Sequence, residues 1–222
     1  MATPYSINVT MSSATVTQLI NNNFSLYGFK AVKTTQSGGA PLVWFQTGSY
    51  STTTGVSWQE QFQAYTSSSQ IIANGQILAS NSNNINLNQT MNVDVGGVGT
   101  VVNGGTAGAI SILNQTTTQY TCGISQTTGS GDTNPLCAFP LFGLNMDVIA
   151  PIEKVMLMFS SAQVNTGTVI QKAYSPGIFI DLTANNSVSV NYDINTGWSW
   201  GGFSWAQQVT ANADMAPLLI ES

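Results

Sequence analysis

From Asn84 to Val95 the chain sets Ile85, Leu87, Met91, Val93 and Val95 in one phase and Asn84, Asn86, Asn88, Thr90, Asn92 and Asp94 in the other. A period of two is the geometry of a β-strand with one dry face and one wet face, and no helix can sort those residues. Gln89 alone is polar in the apolar phase, which predicts a bulge or a core boundary there. Val188, Val190, Tyr192 and Ile194 repeat the pattern against Ser189, Asn191 and Asp193. Val155–Phe159 is apolar in both phases, the mark of a central strand covered from two sides. Further strands are predicted at 42–47 and 178–182.

Turn chemistry supports the same class. Asn74-Gly75 stands between Gln70–Ala73 and Gln76–Ala79, and an Asn-Gly pair supplies the positive φ values of a type I′ hairpin turn. A second hairpin is predicted around Asn103-Gly104-Gly105, with 98–102 facing 107–113. Two segments read differently. Ser13–Asn22 places Val16, Leu19 and Ile20 on one helical face after a serine cap, predicting a short N-terminal helix. Ser57–Tyr65 carries both a capping-box spacing and a strict alternation of Val56, Trp58, Glu60, Phe62 and Ala64 against serine and glutamines; its surroundings favour strand. The expected architecture is all-β: a two-layer antiparallel β-sandwich, with barrel-like closure as a variant, and one short N-terminal helix. Neither an internal repeat nor a change of composition divides the chain, so residues 1–222 are expected to form a single domain.

Composition narrows the chemistry. The 222 residues hold four lysines, no arginine and no histidine, with nine acids, a net charge of −5 and only 6% charged residues. Without histidine there is no imidazole to activate a nucleophile, to ligate zinc or to titrate near neutrality. Phosphate neutralisation needs clustered cations, so no nucleic-acid partner is expected, and steering toward anionic lipid is disfavoured. No run of ~18 apolar residues encodes a transmembrane helix. The first residues show no basic segment followed by an apolar one. The expectation is an intracellular chain, a processed one, or one exported by another route.

Three groups of residues are candidates for function. Trp198, Trp200, Phe203 and Trp205 lie among glycines, and in extended chain Trp198 and Trp200 share a face, a platform for the apolar C–H face of a sugar or for a membrane interface. Filling the end of the core is the competing role. Asp132, Asp147, Glu153, Asp181 and Asp193 are candidates for acid–base work; Asp181, between Ile180 and Leu182, is expected to be the most buried. Cys122 and Cys137 enclose a polar stretch, as either a disulfide or two buried thiols. A membrane-inserting hairpin built from 91–102 and 106–118 is a further possibility, since each arm exceeds the ~9–11 residues that span a bilayer as tilted strand. Nothing in the sequence calls for a cofactor or a metal.

Ser6-Ile7-Asn8-Val9-Thr10 and the neutral, aromatic-bearing β pattern bear a general similarity to fungal fruit-body lectins and actinoporin-like cytolysins, without any motif matching residue by residue. The leading expectation is a non-enzymatic protein that binds a neutral ligand, a glycan or a lipid headgroup. The alternatives are a self-assembling structural or storage protein and a carboxylate-dependent hydrolase. A surface with so few charges has little colloidal repulsion, so self-association or a homo-oligomer is expected.

Overall fold

The computed structural model describes residues 4–222. In chain order the elements are β1 (Pro4–Thr10), α1 (Ser13–Asn21), β2 (Ser25–Thr34), β3 (Ala40–Pro41), β4 (Phe45–Thr47), β5 (Thr53–Ser67), β6 (Asn81–Ile85), β7 (Gln89–Val93), β8 (Gly99–Asn103), β9 (Ile110–Asn114), β10 (Tyr120–Thr128), β11 (Thr133–Pro135), β12 (Cys137–Leu141), β13 (Met146–Ser160), β14 (Gly177–Asp181), β15 (Ser187–Asp193), β16 (Gly197–Ser199), β17 (Ala206–Val209), α2 (Ala216–Leu219) and β18 (Ile220–Glu221). They form two sheets, one running β16-β15-β1-β5-β10-β12-β3 and the other β17-β14-β13-β9-β7-β8, with β2, β4 and β18 joined to the second through β13. The all-β sandwich with scarce helix is what the alternation predicted. Pairing is mostly antiparallel, but β1–β15, β7–β9 and β2–β18 are parallel.

The alternation at 84–95 belongs to two strands, one in each sheet. β6 pairs with β5, the chain turns at Asn88 with φ +68°, and β7 then joins β8 and β9 in the opposite layer. Ile85, Met91 and Val93 still share one core, because the two strands face it from opposite sides. Gln89 therefore marks the start of the second strand, not a bulge within one.

Both predicted hairpins are corrected. Asn74 does take φ +60°, but its flanks do not pair with each other; Asn74, Gly75 and Ile77 hydrogen-bond instead to residues 167–169. β8 and β9 are likewise not partners, since β7 lies between them, and the proposed membrane hairpin does not exist as a two-armed unit. The stretch 42–47 is a strand only from Phe45 onward.

Other expectations hold. Val155, Leu157 and Phe159 face the core between the sheets while Met156 and Met158 face a second cluster with Tyr27, Phe29 and Met215, so β13 is covered on both sides. β5 is a strand. Helix α1 is capped by Ser12, whose Oγ accepts from Thr15 N at 3.0 Å. Its inner face carries Thr15 and Leu19; Ile20 points to solvent.

Candidate functional site

The aromatic segment closes one side of the sandwich, because it carries the chain from β16, at the edge of the first sheet, to β17, at the edge of the second. Trp198 belongs to the core: it is buried, stacked on Phe159 at 5.6 Å and tilted against Tyr192 at 4.8 Å, with its indole N–H unpartnered. The surface platform expected of Trp198 with Trp200 is thus not formed. Gly201 and Gly202, both at positive φ, reverse the chain, and Trp200 Nε1 donates to Phe203 O at 2.9 Å across that turn. Phe203 is 60% exposed and stacks on half-buried Trp205 at 5.9 Å. Three of the four aromatics are therefore gathered at one turn.

Cys122 and Cys137 are buried free thiols. Cys122 stands opposite Phe139 in the β10–β12 pair, so Cys137 is its diagonal neighbour. The Cys122 thiol donates instead to Asp147 Oδ2 at 3.1 Å. Burial holds both thiol pKa values up, that of Cys137 to about 12, and also raises that of Asp147, whose Oδ1 has no partner.

The carboxylates are scattered. Asp181, expected to be the most buried, is 40% exposed as a side chain and lies 3.9 Å from Lys154; Asp147 is the buried one. Asp193 accepts from Thr15 Oγ1 and from the amides of Asn195 and Thr196, and these bonds lower its pKa. Asp132 accepts from Ser130 Oγ within an exposed turn. Among the described residues no group of three His, Cys, Asp or Glu could hold a metal ion.

Glu153 is part of a cluster that sequence reasoning missed. Between the pairs Pro151–Val32 and Val155–Lys30, β13 advances four residues while β2 advances two. Glu153 sits in the resulting bulge, and its Oε2 accepts from Lys30 Nζ at 2.7 Å and Trp58 Nε1 at 2.9 Å. The Lys30 side chain is wholly buried, with its ammonium 5.0 Å from the Trp58 ring centroid, 5.8 Å from Tyr5 and 6.0 Å from Trp44. Burial outweighs the attraction of Glu153 and pulls the Lys30 pKa down to about 8. The signal in the sequence is a lone lysine between Phe29 and Ala31. Its partners come from β1, β5, β13 and the segment before β4, so nothing local announces them.

Above this end of the core opens a cleft of about 710 Å³, bounded by 45–49, 54–57 and the turn 128–132, with Asn134 and Thr166 on its rim. Phe45 and Val56 supply apolar surface. The Phe45 ring folds back over Gly28, where even a methyl would lie 1.9 Å from a ring carbon. The turn is fixed by Thr128 N donating to Asp132 O at 2.9 Å and by Gly129 N donating to Ser57 O. Gly129 has no room for a side chain, since a Cβ would meet Ser57 Oγ at 2.0 Å. The remaining lining is hydroxyl and amide, and Asp132 is the one charged group. Compared with known proteins, the chain matches no family model, no curated protein and no solved structure.

Proposed function

We propose that this protein is a non-enzymatic binding module for an uncharged polyhydroxylated ligand of the glycan class, held in the cleft beside Phe45. The observation that carries the reading is the composition of that cleft: an aromatic and aliphatic floor, with a rim of Ser, Thr, Asn and Gln around a volume in the range of ordinary ligand sites. Sugar rings present an apolar C–H face and several hydroxyls, and this lining offers a partner to each. A ligand with net charge finds a single carboxylate there and no cation. Among the described residues nothing is hydrogen-bonded to the Asn134 side chain, which lines the cleft and can take a ligand hydroxyl.

The test is a panel of neutral glycans screened against the purified protein, followed by calorimetric titration of any hit with wild type and Asn134→Ala. Losing one such hydrogen bond should weaken binding by about 1 kcal/mol. Binding that is indifferent to Asn134 and to neighbouring rim substitutions would remove the cleft from consideration. A second reading, favoured by the exposure of Phe203 and its stacking on Trp205, places the sugar or a zwitterionic headgroup on the aromatic turn. Phe203→Ala in the same titration separates the two.

A further inference from the structure

Asn-Gly occurs twice, at Asn74-Gly75 and Asn103-Gly104, and at neither place does it turn a hairpin. The dipeptide has a chemistry of its own. The backbone nitrogen that follows an asparagine stands within reach of that residue's side-chain carbonyl carbon, and where a glycine follows no Cβ obstructs their approach. Both asparagines are exposed. Each Oδ1 accepts one hydrogen bond, from Tyr174 Oη at 2.7 Å in Asn74 and from Gln89 Nε2 at 2.9 Å in Asn103. The side chains are thus held alike; the backbones are not.

At Asn74 the peptide unit that would have to swing is pinned on both sides. Gly75 N donates to Ile72 O, Asn74 N to Val169 O and Val169 N to Gly75 O, each at 2.9 Å. Gly75 is crowded as well, since a Cβ there would lie 2.7 Å from Ile72 Cγ1. Asn103, by contrast, is the last residue of β8, the outermost strand of its sheet, and residues 102–108 are all exposed. Gly104 holds φ +89° with open space where a Cβ would stand. Among the described residues nothing accepts from its N–H. One bond holds it, from Thr90 Oγ1 to Gly104 O at 2.7 Å.

From this we propose that Asn103 is a modification site, left open by the same fold that closes Asn74: in water it converts to aspartate and isoaspartate through a cyclic imide formed with Gly104. Gly104 N gives up its proton to solvent base and bonds to Asn103 Cγ. The Cγ–Nδ2 bond breaks, and Nδ2 takes up a proton and leaves as ammonia. Water then opens the imide. Attack at Cγ leaves aspartate on the original backbone, and attack at the backbone carbonyl carbon of residue 103 leaves isoaspartate, with the chain running through the former side chain. One water is consumed, one ammonia is released, and nothing is oxidised or reduced. The product carries a new carboxylate on β8, whose residues Gly-Thr-Val-Val-Asn hold no charge, and a charge on an exposed edge is one of the features that keep sheets from pairing with each other.

The experiment is incubation of the full chain in mildly alkaline buffer, native and in urea, with timed samples digested and mapped by mass spectrometry and the two isomeric products separated by chromatography. In the native protein the peptide holding Asn103 should gain the mass difference between an amide and an acid and split into both isomers, faster as the pH is raised. Asn74 has first to break the hydrogen bonds at Gly75 N and Gly75 O, so it should convert more slowly by roughly tenfold or more. In urea the two should convert at similar rates. Asn103→Gln lengthens the side chain by a methylene and should abolish the early acidic shift of the native protein on ion exchange, with an unchanged melting temperature. Three results would each overturn the proposal: native Asn74 converting as fast as Asn103, Asn103 staying intact in the native protein, or aspartate forming there without isoaspartate.

Discussion

The buried pair of Lys30 and Glu153 can be dissected because its two opposing terms have different signs for different substitutions. Bringing the Lys30 ammonium out of water lowers its pKa from 10.5 to about 8, which corresponds to roughly 3 kcal/mol of net cost in the fold at neutral pH even with Glu153 beside it. Glu153→Gln leaves that cation without its counter-charge and should destabilise by ~3 kcal/mol, near the lower end for breaking a buried pair, because the rings of Tyr5, Trp44 and Trp58 still attract the ammonium. Lys30→Met/Glu153→Gln removes both charges at similar volume and should be neutral or stabilising by up to ~3 kcal/mol. The pH dependence carries its own sign. Between about 8 and 10.5 the unfolded chain keeps a proton that the folded chain has released, so the Lys30 contribution to stability rises with pH, by about 1 kcal/mol from pH 7 to 9. The penalty for Glu153→Gln should shrink over the same interval. Urea unfolding at pH 7 and 9, followed by tryptophan fluorescence, measures all of this. A double variant that loses 3 kcal/mol or more, or a Glu153→Gln variant costing under 1 kcal/mol at pH 7, would refute the claim that desolvation dominates the site.

The remaining expectations are simpler. Trp198→Ala should cost ~3–5 kcal/mol, read by urea unfolding, whereas Phe203→Ala should change stability by less than ~1 kcal/mol; equal effects would mean that the two aromatics share one environment. Cys122 and Cys137 should resist a thiol reagent in the native protein and react together on unfolding, and prompt native labelling would contradict their burial. Because the fold raises both thiol pKa values, the unfolded chain loses these protons first, and stability should fall as pH climbs through about 9 toward 12; a denaturation midpoint still rising at pH 10 would oppose this. Gly123→Ala should prevent folding or cost several kcal/mol, as its Cβ would lie 2.0 Å from Cys137 O, and a soluble variant with native melting behaviour would refute that contact.

What the sequence disclosed depended on whether a strand keeps one wet face. β15 and β5 do, and were legible; β13 was legible because its apolar run is longer than a turn can hold. β10 was not foreseen, because Tyr-Thr-Cys-Gly-Ile-Ser-Gln-Thr-Thr buries hydroxyls and Gln126 on both faces and so lacks contrast. β2 was missed for the opposite reason: nearly every residue in it is buried, including Lys30. The hairpins failed where a turn was read correctly but its partner was taken to be the nearest strand, when parallel pairing sent β7 to β9. The cleft was invisible, since its lining comes from five separate stretches, each no more polar than the rest of the chain.

The position of β1 governs the order in which this protein can be made. It lies between β5 and β15 and pairs Ser6 with Ser187, so this strand waits for one made 181 residues later before its sheet is complete. At ~5–20 residues per second that wait is on the order of ten seconds or more, for most of which β2 and its apolar surface have no β13 to cover them. Pairings between such distant segments also place folding at the slow end, ms to s, for domains of this class. A chaperone that holds the amino-terminal third until β13 emerges should therefore raise the yield of this chain more than any change to its finished surface.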